Sequence, residues 1–213
     1  MKQYTGWHFT ASATEGRDGW PLQRVEGLWP GTMPVPCEVG LHASKRALDA
    51  LSYAPGPFVS RVRLEGRLVV GLDKACATRR VRLAGPVDAS RELRLFACDC
   101  AERVLPLFER ERPGDTGPRE AIAIARRFAK GETTQEELDA ARAAAARAAA
   151  ARAAAASAAA WAAASAAAWA AAAGDAAWDA ARDAAWDAAR GAERAWQERE
   201  LTRVLRAALE GRG

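Results

Sequence analysis

VSRVRLEGRLVV, residues Val59–Val70, decides the fold of the first half of the chain. Val62 and Leu64 alternate there with arginines, and period-two alternation is typical of a β-strand with one solvated face. The stretch TRRVRL at Thr78–Leu83 repeats the pattern. The two segments predict neighbouring strands that present their arginines on one sheet face: Arg61, Arg63, Arg80 and Arg82.

The arginine-bearing face of these strands admits two interpretations. Guanidinium groups match phosphate and carboxylate groups through paired hydrogen bonds, so arginines clustered on one face are typical of an anion-binding patch. Charged residues also alternate with apolar ones on any strand whose outer face is in water. The sequence leaves both interpretations open, a ligand-binding patch and a solvated face.

A short motif, GLHAS at Gly40–Ser44, precedes the strands. The next segment, Lys45–Tyr53, places Ala47, Leu48 and Leu51 on one helical face. A strand, a turn and a short helix are therefore predicted before Val59.

Three landmarks of this region, the Gly40–Ser44 motif, Tyr53 and the Val59–Val70 strand, resemble an uncharacterised domain of bacterial and phage proteins. Their order is also loosely similar to the NAD-binding core of ADP-ribosyltransferases. That similarity implies a nucleotide or NAD-like ligand with contacts from five residues: Trp7, His8, His42, Ser44 and Tyr53. The segment Ala77–Gly85 lacks the acidic residue that those enzymes place on a late core strand, so the resemblance does not extend to their catalytic chemistry.

The strand pattern gives way to helical periodicity after Asp88, which is expected to cap a helix running to about Glu111. Pro106 is expected to kink or end this helix, because it has no N–H and its ring clashes with the preceding turn. Apolar residues at three- and four-residue steps predict one buried stripe, made of Leu93, Phe96, Cys100, Val104 and Leu107.

A second helix is predicted from Pro118, a residue tolerated in a first helical turn, to Gly131, which closes it. We expect it to pair antiparallel with the preceding helix. Thr134 and Glu137 then have the spacing of a capping box, which predicts the start of a further helix.

Alanine, the residue with the highest helix propensity, dominates the sequence after Ala140. Gly174 followed by Asp175 is typical of a helix end and a new helix start, so the alanine-rich stretch is expected to fold back as a hairpin. Tryptophans recur within it, at Trp161, Trp169, Trp178 and Trp186. They are interpreted either as core residues between alanine ridges or as a ridge that binds a protein partner.

Four segments of the helical half are distinctive: LRLFACDCAERVLPLF at Leu93–Phe108, PREAI at Pro118–Ile122, the alanine array, and AWQ at Ala195–Gln197. Together they resemble a bacterial family of putative immunity proteins, over residues from about 90 to 210. The resemblance implies a protein that binds and neutralises a toxin. It carries no catalytic residues.

Charge and cysteine content argue against several classes. The net charge of +4 is modest, and the sequence has no dense Lys/Arg clusters of the kind found in dedicated nucleic-acid binders. Nucleic acid is therefore not indicated as a partner. The four cysteines form no CxxC pair, so we predict no metal site, no disulfide framework and no cofactor. Reduced cysteines, and the lack of a signal-like pattern in Met1–Thr10, favour the cytoplasm. Ala153–Ala173 is uncharged but lacks Leu, Ile, Val and Phe, so no membrane span is expected.

These observations predict an α+β protein. A small, mixed β-rich domain over residues 1–87 precedes an all-α, alanine-rich antiparallel helical bundle over residues 88–213. The favoured function is a non-enzymatic binding protein that neutralises a toxin or another antagonist. Two alternatives stay open, a nucleotide- or NAD-like ligand-binding protein of bacterial or phage defence and an ADP-ribosyltransferase-like enzyme. A homodimer is as compatible with the alanine–tryptophan faces as an intramolecular bundle.

Overall fold

The chain folds into an antiparallel sheet followed by helices, which confirms the predicted α+β class. The computed structural model describes residues 4–14, 23–28, 31–35, 38–141, 143 and 190–211. In chain order its elements are β1 (Tyr4–Thr10), β2 (Val25–Gly27), β3 (Leu41–Ala43), α1 (Ala47–Leu51), β4 (Phe58–Val70), β5 (Ala75–Asp88), α2 (Ser90–Glu111), α3 (Gly117–Lys130) and α4 (Arg190–Glu210).

Two compact units divide the chain. The first combines Met1–Ser90 with Trp196–Gly213 and contains the sheet, and the second is Arg91–Ala195. Within the first unit the strand order is β1-β4-β5-β2, and β3 pairs with another part of β5. The strands predicted at Val59–Val70 and Thr78–Leu83 are confirmed as parts of β4 and β5.

Ser44, directly after β3, joins that end of the sheet back to β1. The Trp7 N–H donates to the Ser44 carbonyl oxygen at 2.7 Å, and the Ser44 N–H donates to the Trp7 carbonyl oxygen at 3.1 Å. A Cβ atom on Gly6 would lie 2.6 Å from the same Ser44 oxygen, so this approach requires glycine. A small buried cluster of this unit consists of Ala43, Val62, Leu64, Ala75 and Ala77.

The short helix predicted after the GLHAS motif is α1, and Ala47, Leu48 and Leu51 are all buried as expected. Its first N–H groups are satisfied by a residue of α4. The Ala47 and Leu48 N–H groups donate to the two carboxylate oxygens of Glu198, each at 2.8 Å. Two of the donors that a helix start leaves without intrahelical partners are thereby paired.

In the second unit, α2 and α3 pair antiparallel, as predicted. An ion pair joins Arg119 to Glu109 at 2.6 Å, and Arg126 bonds to both Asp99 and Glu102 at 2.7 and 2.8 Å. Between the helices lies a buried cluster of Cys98, Ala101, Leu105, Phe108, Ile122 and Ala125, which Leu138 extends. α3 has its proline in the first turn and ends at Gly131 with φ 76°, which confirms both predicted helix signals.

The buried face of α2 differs from the predicted stripe. Leu107 is 56% exposed, whereas Leu105 and Phe108 are buried. α2 ends at Glu111, as predicted, and it continues through Pro106. Of the two effects expected of Pro106, a kink or a helix end, the helix end is therefore excluded. Pro106 and Glu102, whose carbonyl loses its usual N–H partner, are both exposed, so water can replace the missing hydrogen bond.

The capping box that follows α3 is confirmed. The Glu137 N–H donates to Thr134 Oγ1 at 3.2 Å, and the Thr134 N–H donates to Glu137 Oε2 at 3.4 Å. Helical residues follow at 135–141 and 143. The rest of the alanine array, with its predicted turn at Gly174 and Asp175, lies outside the described residues.

In the part of the chain that the structure describes, no helix is long and apolar enough to cross a membrane. The uncharged segment Ala153–Ala173 falls outside that part.

Candidate functional site

A cluster of charged and imidazole side chains lies in the first unit and consists of His8, Glu26, His42, Arg80 and Arg82; we call it the charged cluster. Arg80 donates from Nε to Glu26 Oε2 at 2.6 Å and from Nη1 to the His42 carbonyl oxygen at 3.0 Å. Arg82 Nη2 lies 3.6 Å from the other Glu26 oxygen. The structure thus brings together four predicted ligand-contact residues, and Glu26 is the member that sequence reasoning missed.

Burial lowers the pKa of two members of the charged cluster, Arg80 and His8. It lowers the pKa of Arg80, which is 8% exposed, and the neighbouring Glu26 carboxylate partly offsets this effect. Burial also holds the pKa of His8 well below 6.5, assisted by the nearby charges of Arg80, Arg82 and His42. His8 is therefore neutral at pH 7, and the charged cluster contains one carboxylate, that of Glu26, and two guanidinium groups.

The arginines of β4 and β5 do not share one face of the sheet. Arg63 pairs directly with Val81, and directly paired residues place their side chains on the same side. Arg61 and Arg63 therefore lie on one face, and Arg80 and Arg82 lie on the other. The prediction of a single patch of four arginines is wrong, because an offset of one residue between paired strands moves every side chain to the opposite face.

On the opposite face, Arg61 covers a buried tryptophan. Its guanidinium carbon lies 4.4 Å from the centre of the Trp7 ring, and Trp7 is 2% exposed. Burial lowers the pKa of Arg61, and the charge of Arg206 on α4 lowers it further. Arg63 bonds to Glu65 at 2.7 Å. Of the predicted ligand contacts, Trp7, Arg61 and Arg63 thus form a group separate from the charged cluster.

The last two predicted ligand contacts occupy other places in the first unit. Ser44 is buried and contacts β1 through its backbone. Tyr53 is half-exposed, and its hydroxyl donates a hydrogen bond to Asp73 Oδ2. Lys74 Nζ lies 3.7 Å from the centre of the Tyr53 ring. The hydrogen bond with Asp73 raises the pKa of Tyr53. Tyr53, which follows α1, thus contacts the turn that joins β4 to β5.

The helical unit contains two free thiols on α2. Burial raises the pKa of Cys98 to about 11 and also raises the pKa of Cys100, to which Glu193 adds a further upward shift. Both thiols are protonated at neutral pH, so neither is a thiolate nucleophile. Within the described ranges, no group of three or more His, Cys, Asp or Glu side chains is placed to hold a metal ion.

The residues predicted to bind a protein partner are not covered by the described ranges: Trp161, Trp169, Trp178 and Trp186. Described parts of the same unit are the α2–α3 pair, with its ion pairs, and the capped start of the next helix at Thr134.

These helical elements coincide with a family match. The model of the Imm-5 like putative immunity protein family matches residues 87–204, more than half of the chain. The chain belongs to this family. No curated protein and no solved structure matches the chain.

The Imm-5 like match begins at the end of β5 and includes α2, α3 and most of α4. It confirms the resemblance drawn from the segments at Leu93–Phe108 and Pro118–Ile122. The match does not extend over residues 1–86, where the similarity to the ADP-ribosyltransferase core stays a hypothesis.

Proposed function

We propose that this protein neutralises a toxin or another antagonist by binding it, without catalysing a reaction. The observation that carries the proposal is the match to the Imm-5 like family over residues 87–204. An immunity protein needs a surface that recognises its partner, and it needs no set of reacting groups.

The geometry of the helical unit supports a role in partner binding. α2 and α3 are held by three ion pairs among the described residues and by a shared apolar cluster. A surface that is already rigid loses little conformational entropy when a partner binds. Leu107 adds an exposed apolar side chain to this surface. The predicted tryptophan ridge belongs to the same unit and stays part of the proposal.

The first experiment identifies the partner and tests its effect. The full-length protein captures interacting proteins, and each captured protein is expressed in a bacterial host with and without this protein. We expect one partner to stop growth when expressed alone, growth to recover on co-expression, and the two proteins to co-elute at a fixed stoichiometry. A captured partner that is harmless, or growth recovery without a complex, would contradict neutralisation by binding.

Matched variants test which unit binds. Leu107→Asp changes an exposed leucine of α2, and Leu83→Asp changes an exposed leucine of β5, so neither substitution opens the core. We expect Leu107→Asp to weaken the complex about tenfold or more, as for an apolar contact near the centre of an interface. Leu83→Asp is expected to leave it unchanged. Trp178→Ala and Trp186→Ala test the tryptophan ridge in the same assay.

Three further expectations stay predictions alongside this function. A homodimer through the alanine–tryptophan faces is measured by sedimentation equilibrium of the full-length protein. The other two are that the first unit binds a nucleotide-like ligand and that the protein is located in the cytoplasm. Both are predictions made from the sequence alone.

A further inference from the structure

The charged cluster contains a guanidinium group, that of Arg82, with few close partners among the described residues. Glu26 accepts from Arg80 at 2.6 Å, and the His42 carbonyl accepts a second hydrogen bond from the same side chain. Arg82 has an exposed side-chain fraction of 13%, and its single described ion-pair contact is 3.6 Å long. Hydrogen bonds between a guanidinium and a carboxylate are typically about 2.7–2.9 Å. Arg82 is thus largely withdrawn from water, and no anion among the described residues lies close to it.

The other described groups near Arg82 do not balance its charge. Glu26 is already engaged by Arg80, and His8 is neutral at pH 7. A charge taken out of water is costly unless an opposite charge and hydrogen bonds replace its hydration. The charged cluster therefore favours the arrival of one further negative charge.

Hydrogen-bond donors lie beside Arg82 on the same face of the sheet. Arg82 pairs with Val62, and Ser60 is two residues before Val62 on β4. His8 pairs directly with Ser60 across β1 and β4. Residues two apart on a strand share a face, so a guanidinium, a hydroxyl and an imidazole face the same side. This combination suits a group with several acceptor oxygens.

We propose that the charged cluster binds the phosphate or carboxylate group of a small molecule, with Arg82 as its main contact and Ser60 and His8 beside it. This site lies in the first unit and adds a second binding activity to the neutralisation proposed above. It requires no protein partner, so its test is independent of that function.

Calorimetric titration of the full-length protein with inorganic phosphate, and separately with acetate, at constant ionic strength tests the site. We expect saturable binding of one of the two anions, and the preferred anion identifies the chemical source of the ligand group. Arg82→Gln is expected to weaken binding about tenfold or more, since it removes the main charge-assisted contact. Arg79→Gln is the matched control, because Arg79 is 52% exposed, lies on the opposite face and pairs with Glu65.

Glu26→Gln gives a test of opposite sign. Removing the internal carboxylate frees Arg80 and leaves both guanidinium groups for the added anion, so affinity is expected to rise. In NMR titrations, the bound anion is expected to move the His8 pKa upward towards 6.5, its ordinary value. These two readouts keep the proposal testable even if Arg82→Gln does not fold.

Three outcomes would overturn the site. The first is that neither anion shows saturable binding up to about 10 mM, because a Kd above this concentration is too weak for a specific site. The second is equal binding by Arg82→Gln and Arg79→Gln. The third is a Glu26→Gln variant that binds no more tightly than the unchanged protein, which would show that Glu26 and the two arginines form a purely structural ion triad.

Discussion

Glu198 stabilises a helix from which it is separated by about 150 residues of sequence. Glu198→Ala removes the acceptor of the Ala47 and Leu48 N–H groups and leaves both without their partner. We expect the free energy of unfolding to fall by about 1–2 kcal/mol, the usual cost of losing a helix cap. Urea denaturation of the full-length protein measures the change.

Glu200→Ala is the control for this prediction. Glu200 lies on the same helix, and its partner among the described residues is local, Arg203 three residues later. Pairs of this kind contribute about 0.5 kcal/mol or less, so the control is expected to be nearly neutral. Equal destabilisation by both variants would show that Glu198 acts through the propensity of α4 and not through α1.

His8 gives stability a dependence on pH. Its pKa is lower in the folded protein than the ordinary value of 6.5, so the unfolded chain takes up a proton first as the pH falls. The free energy of unfolding is therefore expected to decrease below about pH 6.5, by up to about 1.4 kcal/mol per pH unit, until the folded-state pKa is reached. Denaturation curves between about pH 7.5 and 5 measure this slope. His8→Gln should reduce it, and an identical slope in both proteins would refute the assignment.

Leu105 and Leu107 on α2 form a matched pair of positions. Leu105 is buried in the cluster shared with α3, and Leu107 is exposed. Leu105→Ala is expected to lower the free energy of unfolding by about 2–5 kcal/mol, because it removes buried methyl groups and leaves a cavity. Leu107→Ala should change it by about 0.5 kcal/mol or less. Denaturation followed by circular dichroism measures both changes. A larger loss of unfolding free energy for Leu107→Ala would mean that Leu107 is buried, as the sequence predicted.

Sequence reasoning succeeded where the partners of an element lie within a few residues of it. The capping box at Thr134, the glycine cap at Gly131 and the buried face of α1 each depend on spacing over one or two turns. The strands β4 and β5 were recognised by their alternation, which is equally local.

The same reasoning failed where contacts join distant segments. The register between β4 and β5 places Arg63 and Arg80 on opposite faces of the sheet. Register depends on how the two strands pair, and the sequence of either strand alone does not determine it. Glu26 lies on a three-residue strand too short to show a period, and its contact with Arg80 spans 54 positions. On α2, two overlapping apolar patterns are present, and only the packing of α3 selects the one containing Leu105.

The placement of Trp196–Gly213 within the first unit leads to a prediction about the whole chain. A division at residue 88 into two independent domains stays a prediction from sequence, and it implies that the sheet folds without α4. The structure instead groups this segment with the sheet, with Leu201 and Leu205 fully buried. A chain ending at Ala195 loses those side chains and the Glu198 carboxylate, so its sheet unit is expected to open more readily.

Hydrogen exchange of individual amides shows whether the sheet is stable without α4 or depends on it. In a chain ending at Ala195, the Ala47 and Leu48 amides lose their Glu198 acceptors, and we expect their protection to fall to that of unfolded peptide. The Trp7 and Ser44 amides, which hold β1 to the end of β3, should lose protection with them if the unit opens cooperatively. A chain ending at Gly211 keeps α4 and serves as the control. Unchanged protection of Trp7 in the shorter chain would show that the sheet is stable without its C-terminal segment, and the boundary at residue 88 would then hold.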